Sequence, residues 1–295
     1  MLDFSSNLND IEIYSDEPLA RHSTIKIGGT AKYAAFPHSE KAFCRLLDKL
    51  YKCDIKFQVI GNASNTIFPD GVYDGMIVFT NKMNGISVAG KTITAECGVN
   101  CIYFSHFAME NSLSGAEFLS GIPGSVGGAV FMNAGAYGSS VSDIIESSKF
   151  YLPDGTVAEV KKSEHEFEYR SSSAKRNGAF VISSRFSLSY DSKEKIASRI
   201  NELKEKRFTS QPIGLPSAGS VFLAENGVPA WKYIDSAGLR GFKIGGAQIS
   251  DKHAGFIVNC GGATAYDVEK LVGIVKDTVM KKYGVELKTE IIFLK

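Results

Sequence analysis

Two stretches of small residues, each set between apolar runs, constrain this chain more than any other feature. The first is Val59-Ile60-Gly61-Asn62-Ala63-Ser64-Asn65-Thr66-Ile67. The second runs Leu119-Ser120-Gly121-Ile122-Pro123-Gly124-Ser125-Val126-Gly127-Gly128-Ala129 and continues to Asn133-Ala134-Gly135-Ala136-Tyr137-Gly138. Side chains this small let backbone N–H groups approach a ligand closely, and successive amides form an anion-binding concavity. The diphosphate of a dinucleotide suits such a cradle. A single glycine cluster is as readily a tight turn, but two long ones in one chain shift the balance toward binding. Neither is followed by Lys-Ser/Thr as in a P-loop, and neither carries G-x-G-x-x-G after a strand. A dinucleotide would therefore be held in neither the P-loop nor the Rossmann manner.

The elements around these loops mix strands and helices. Ser39 is placed to cap a helix with Phe43, Leu46, Leu47 and Leu50 on one face, and residues 56–60 and 76–79 read as strands. Residues 86–95 read as a hairpin turning at Gly90. A short helix follows Asn100, with Tyr103 and Phe107 one turn apart. Pro153-Asp154-Gly155 marks a second hairpin, and residues 179–190 read as one long alternating strand. Residues 193–207 form an amphipathic helix burying Ile196, Ile200 and Leu203. Beyond the polar stretch 209–216 come Trp231-Lys232-Tyr233-Ile234 and a strand over 254–259. A helix then runs from its cap Thr264 to Gly284, and a last strand spans 289–294. Without a regular βα alternation the pattern is α+β.

Composition mainly excludes. The 295 residues exceed one typical domain, and a net charge of +1 with interleaved signs offers no concentrated basic face for nucleic acid. No apolar run reaches the roughly 20 residues that span a bilayer. The N-terminus lacks the basic-then-apolar layout of a signal peptide, so the chain reads as cytoplasmic. The five cysteines, Cys44, Cys53, Cys97, Cys101 and Cys260, are odd in number. Cys97 and Cys101 would make half a metal site, but no second pair or His cluster completes it. They read as free thiols, and no metal is expected.

The two loops belong to an ordered set of motifs. The set opens at Arg21-His22-Ser23-Thr24-Ile25-Lys26-Ile27-Gly28-Gly29, passes through both loops, and reaches Tyr169-Arg170-Ser171. Ser217-Ala218-Gly219-Ser220-Val221-Phe222 and Ala237-Gly238-Leu239-Arg240-Gly241 follow, then Ile244-Gly245-Gly246-Ala247-Gln248. Ala254-Gly255-Phe256-Ile257-Val258-Asn259 and Glu290 in the last strand complete it. In this order the set closely resembles the UDP-N-acetylenolpyruvoylglucosamine reductases, in their compact class. The resemblance implies an α+β fold: a two-subdomain FAD-binding region of the vanillyl-alcohol-oxidase type plus a C-terminal α+β substrate-binding domain. The corresponding divisions are 1–80, 81–195 and 196–295.

It further implies FAD-mediated, NADPH-dependent reduction of an enolpyruvyl UDP-sugar in cell-wall precursor synthesis. By the same resemblance Arg170 holds the substrate carboxylate, Ser220 supplies a proton and Glu290 assists. Arg170 suits a carboxylate gaining charge because the guanidinium is a planar cation, and partial burial makes a carboxyl such as Glu290 a better acid. Gly61, Asn62, Ala63, Ser64 and Asn65 are expected at the flavin, with Gly121, Ile122, Pro123, Gly124, Ser125, Gly127, Gly128, Ala129, Asn133 and Ala134. Since the first loop has no His or Cys, the FAD is expected to be non-covalent. Tyr169, Lys232 and His253 are candidate substrate contacts, although a lone His among charges also reads as simply exposed. The small-molecule partners would be the UDP-sugar and NADPH, with no nucleic acid, membrane or obligate protein partner.

Two departures from the family pattern stand out. Asn62 and Ala63 replace a common third glycine, and Ala63 preserves the backbone approach if its φ is negative. Leu223-Ala224-Glu225 stands where the family places a basic residue after the Ser220 segment, which makes Lys232 a candidate substitute. Two rival readings remain: a same-fold oxidase or dehydrogenase for another substrate, and a non-catalytic nucleotide-binding protein.

Overall fold

The computed structural model describes residues 10–295, which divide into two compact units. Neither is contiguous in sequence. The first comprises the described residues up to Ser15 with 33–62 and 75–205; the second comprises 16–32, 63–74 and 206–295. Among the described residues no helix is long and apolar enough to cross a membrane.

The first unit is built on a five-stranded antiparallel sheet. Its order is Val157–Lys161, Ile145–Tyr151, Phe180–Ser187, Thr92–Glu96 and Ile86–Ala89. A second sheet pairs Phe57–Ile60 in parallel with the end of Val72–Phe79. Helix Glu40–Lys52 begins at Ser39, whose hydroxyl accepts from the Ala42 N–H at 3.2 Å. It buries Phe43, Leu46, Leu47 and Leu50 completely, each stabilising the core by roughly 1.5–3 kcal/mol. Asn100 caps helix Cys101–Glu110 by accepting from Ile102 N and Tyr103 N. On this helix Tyr103 is exposed, Phe107 is half-buried, and Phe104 and Ala108 face the core.

The expected single strand over 179–190 is also interrupted. Leu188 N donates to the Lys91 carbonyl, and Ser189–Tyr190 pairs with Leu113–Ser114 in a separate two-stranded sheet. Helix Lys193–Ser210 runs past Arg207; it buries Ile196 and Ile200 but leaves Leu203 half exposed.

The second unit has a four-stranded antiparallel sheet ordered Ser217–Ser220, Phe256–Asn259, Ala247–Ile249, Lys243–Ile244. Helix Ala265–Tyr283 contributes Val268, Leu271, Val272, Val275 and Val279 to this unit's core. Thr264 caps its start and Gly284, at φ 67°, ends it in the left-handed conformation. A distant carboxylate also joins that start, since Asp70 accepts from Ala265 N at 2.7 Å and Tyr266 N at 3.0 Å. Trp231 to Ile234 lies in helix Ala230–Ser236. The last strand is shorter than expected: Ile292–Phe293 pairs in parallel with Thr66–Ile67, Thr289 forms an isolated antiparallel bridge with Phe222, and Glu290 precedes the strand instead of lying in it.

Candidate functional site

In the first unit the two small-residue loops meet. The Asn62 side-chain amide donates to the Pro123 carbonyl at 3.3 Å, and a Cβ on Gly61 would run into the Ser125 hydroxyl. That hydroxyl accepts from Gly128 N at 3.3 Å and caps the short helix Val126–Phe131. Gly127 N donates to the Cys97 carbonyl at 2.8 Å, and a Cβ on Gly127 would lie 2.7 Å from the Cys97 Cβ. Gly61 and Gly127 are thus required by close approach of backbone to neighbouring chain. Gly124 O accepts from Cys101 N, Ile122 N donates to Leu119 O, and Ala134 N donates to Ala129 O. Pro123 and Gly128 are exposed, while Gly121 and Ile122 are half-buried. Small, uncharged residues around the exposed Pro123 and Gly128 leave room for a ligand to approach, which fits the diphosphate and adjoining parts of FAD. Cys97 and Cys101 are free, and burial pushes both thiols up to about 12.

Arg170 sits at the tip of a tight turn in the same unit. Glu168 N donates to Ser171 O at 3.1 Å, and Ser171 N donates to Glu168 O at 3.2 Å. Arg170 has φ 57°. Its Nη2 donates to the Gly135 carbonyl at 3.1 Å, and its guanidinium carbon lies 5.1 Å from the centre of the exposed Tyr169 ring. Lys175 Nζ donates to the Arg170 carbonyl at 3.1 Å. Asn133, 8% exposed and at φ 42°, donates from Nδ2 to Glu168 O at 3.1 Å and accepts at Oδ1 from Ser142 N at 3.0 Å. Lys175 was not among the expected site residues. A lysine five positions beyond Arg170 on a short helix carries no pattern that singles it out.

In the second unit the rest of the first loop meets the strand that carries Ser220. Thr24 Oγ1 lies 2.8 Å from the Ser217 carbonyl and 3.4 Å from the Ala63 carbonyl. Asn65 Nδ2 donates to the Glu290 carbonyl at 3.0 Å, and Glu290 N donates to Val221 O at 2.8 Å. Ser220 and Glu290, 70 residues apart in number, are thereby neighbours. The strand Ser217–Ser220 shifts register before Ser220, and Gly219 has φ 77°. Such an irregularity re-aims the side chain that follows it. Ser64 and Ser220 are half-buried. The condition on Ala63 fails, because its φ is 45°. It occupies the left-handed region, where glycine carries no Cβ penalty.

Two of the candidate substrate contacts, Lys232 and His253, lie in this unit, whereas Tyr169 lies in the first. Ser220 pairs with Phe256, and Val221 N donates to Gly255 O. His253 is half-buried instead of exposed. Its ring packs on Trp231 at 5.7 Å and Phe256 at 5.0 Å, and its Nδ1 accepts from Gly255 N at 3.1 Å. Burial holds its pKa below the ordinary histidine value, and the positive charge of Arg240 pushes the same way. Lys232 is exposed, with Nζ 5.9 Å from the Trp231 ring centre. Trp231 itself was missed; its sequence context shows only an apolar run. Leu223 N donates to Lys288 O, and Glu225 opens a tight turn over Asn226 and Gly227, both at positive φ.

Known proteins resemble this chain along most of its length. Residues 31–161 match an FAD binding domain family, and residues 211–294 match the family described as UDP-N-acetylenolpyruvoylglucosamine reductase, C-terminal domain. The UDP-N-acetylenolpyruvoylglucosamine reductase of Limosilactobacillus reuteri is 41% identical over 291 residues, 99% of this chain and 98% of its own length. That of Streptococcus suis is 42% identical over 96% of this chain and 94% of its own. The crystal structure of the reductase from Thermus caldophilus superposes with a TM-score of 0.82 at 29% identity, covering 97% of this chain and 99% of that one.

Proposed function

The chain belongs to the UDP-N-acetylenolpyruvoylglucosamine reductase family, and from that premise we propose that Arg170, Ser220 and Glu290 are its reacting groups. It is an FAD-dependent oxidoreductase, with an FAD-binding region and the family's C-terminal domain. Its reaction is the NADPH-dependent reduction of UDP-N-acetylglucosamine enolpyruvate to UDP-N-acetylmuramate, in peptidoglycan precursor synthesis. Bound FAD would supply the hydride chemistry that links NADPH to reduction of the enolpyruvyl double bond.

The protein's own residues then have three tasks. Arg170 faces the substrate carboxylate, where a fixed cation stabilises the charge that grows as the double bond is reduced. Ser220 supplies the proton that the carbon beside that carboxylate must gain. Glu290 lies next to that serine and assists the transfer. The residues named above in the two loops hold the flavin through backbone contacts. Tyr169, Lys232 and His253 contact the sugar nucleotide. The three-part division at residues 80 and 195 belongs to this reading, as does work in the cytoplasm on small molecules, without nucleic acid, membrane or an obligate protein partner.

One observation carries the proposal. Asn65 ties the end of the flavin loop to Glu290, and Glu290 is tied to Val221 beside Ser220. Ser220→Ala tests it. NADPH should reduce the bound flavin at a rate within about twofold of wild type, while reoxidation by the enolpyruvyl sugar slows by about 10²–10⁴-fold. An equal fall in both half-reactions would make Ser220 structural and defeat the assignment.

A further inference from the structure

Arg170 and Asn133 share an unusual trait. Both have side chains larger than glycine, and both sit in the left-handed region, at φ 57° and φ 42°. Such conformations persist when surrounding contacts over-determine them. For Asn133 the residue type fits, since asparagine tolerates that region better than most. For an arginine the conformation needs outside support, and the structure supplies it at each side of the turn.

The Asn133 carboxamide is used at both ends. Its oxygen accepts from Ser142 N, which fixes the amide so that its nitrogen meets the Glu168 carbonyl, the first residue of the turn. The Lys175 ammonium holds the carbonyl of Arg170 itself, and Arg170 Nη2 reaches back to Gly135, two residues beyond Asn133. The segment 133–135 therefore grips the turn 168–171 at its backbone and at its guanidinium. A side chain with one donor and one acceptor is required at 133. An aspartate would keep the bond from Ser142 N but turn a carboxylate oxygen toward the Glu168 carbonyl oxygen.

We infer that Asn133 is a positioning residue that fixes the turn presenting Arg170, with Lys175 as its second support. The inference rests on the role proposed for Arg170 above. It separates the Asn133 side chain, committed to the turn, from its backbone, which remains in the flavin segment.

The test uses the FAD-loaded enzyme and the variants Asn133→Asp, Arg170→Gln and their combination. Aspartate also tolerates positive φ, so N133D retains the fold. Three quantities are measured: FAD affinity by fluorescence, flavin reoxidation by UDP-N-acetylglucosamine enolpyruvate, and amide hydrogen exchange of the peptide covering residues 168–171. N133D should leave FAD affinity within about threefold, speed exchange in the turn by about tenfold, and slow reoxidation by about 10–100-fold. In the R170Q background N133D should slow reoxidation by no more than about twofold further, since both changes act on one interaction. Lys175→Met should act in the same direction as N133D.

Fully additive losses, or FAD affinity falling in step with reoxidation, would overturn the inference and return Asn133 to a flavin contact. Unchanged exchange in the turn would overturn it as well. If R170Q itself left reoxidation fast, the proposed role of Arg170 would fail, while the exchange rates would still decide whether Asn133 holds the turn.

Discussion

Replacing Ala63 by glycine measures the strain held in the flavin loop. Ala63 is 4% exposed at φ 45°, a conformation that costs a residue bearing a Cβ roughly 1–2 kcal/mol. Glycine relieves that cost. Against the relief, Ala63→Gly removes a buried carbon worth about 0.8 kcal/mol and loosens the unfolded chain by about 0.4–1 kcal/mol. The two sides nearly cancel, and the variant should stay within roughly 0.8 kcal/mol of wild type.

Ala247 is the control. It is fully buried in strand Ala247–Ile249 of the same unit and is not among the positive-φ residues. Ala247→Gly suffers both losses without relief and should destabilise by roughly 1–2 kcal/mol. Urea unfolding with FAD held at one concentration compares the two. Equal losses at positions 63 and 247 would refute the claim that the loop is strained.

Other consequences follow from particular contacts. Asp70→Ala removes the acceptor for Ala265 N and Tyr266 N at the start of the C-terminal helix and should cost about 1–2 kcal/mol in urea unfolding. Asp70→Asn should restore part of it, and no loss in either variant would contradict the capping role. His165 is fully buried, donating to Lys161 O and accepting from Ser148 Oγ, and burial lowers its pKa. The unfolded chain then binds the proton more readily. The stability contributed by neutral His165 is complete above an unfolded pKa of about 6.5 and is lost as pH falls toward the lower folded value. Unfolding midpoints at about pH 7.5 and about pH 5.5 should show that fall, and His165→Gln should reduce it. An unchanged pH slope in H165Q would show that another group is responsible.

How much of this was legible in the sequence depended on how local the chemistry is. The caps Ser39, Thr264 and Gly284 act within a turn of themselves, and each stands where its residue type indicates. The inward face of the helix after Asn100 was not readable, because Tyr103 and Phe107 share helical spacing with Phe104 and Ala108, and only packing chooses between the two stripes. The joining of 16–32 and 63–74 to the C-terminal residues was out of reach. It rests on bonds such as Thr24 to Ser217, Asn259 to Ile25 and Asp70 to Ala265, for which no periodicity exists.

The site was legible as motifs and not as geometry. A serine after Ala-Gly or an arginine beside a tyrosine carries no chemistry by itself, so Arg170, Ser220 and Glu290 came from the resemblance. The nearness of Ser220 to Glu290 came from the fold. The positive φ of Ala63, and the two-ended use of the Asn133 amide, depend on neighbours far along the chain and left no local trace.

The central claim is tested most directly by anaerobic stopped-flow absorbance. The FAD-loaded protein would be reduced with NADPH and then mixed with UDP-N-acetylglucosamine enolpyruvate. The account predicts rapid return of oxidised flavin absorbance, with one UDP-N-acetylmuramate formed per flavin. Flavin that NADPH reduces but the enolpyruvyl sugar fails to reoxidise would contradict it, and Leu223-Ala224-Glu225 would be the first segment to exchange for the family's basic residue.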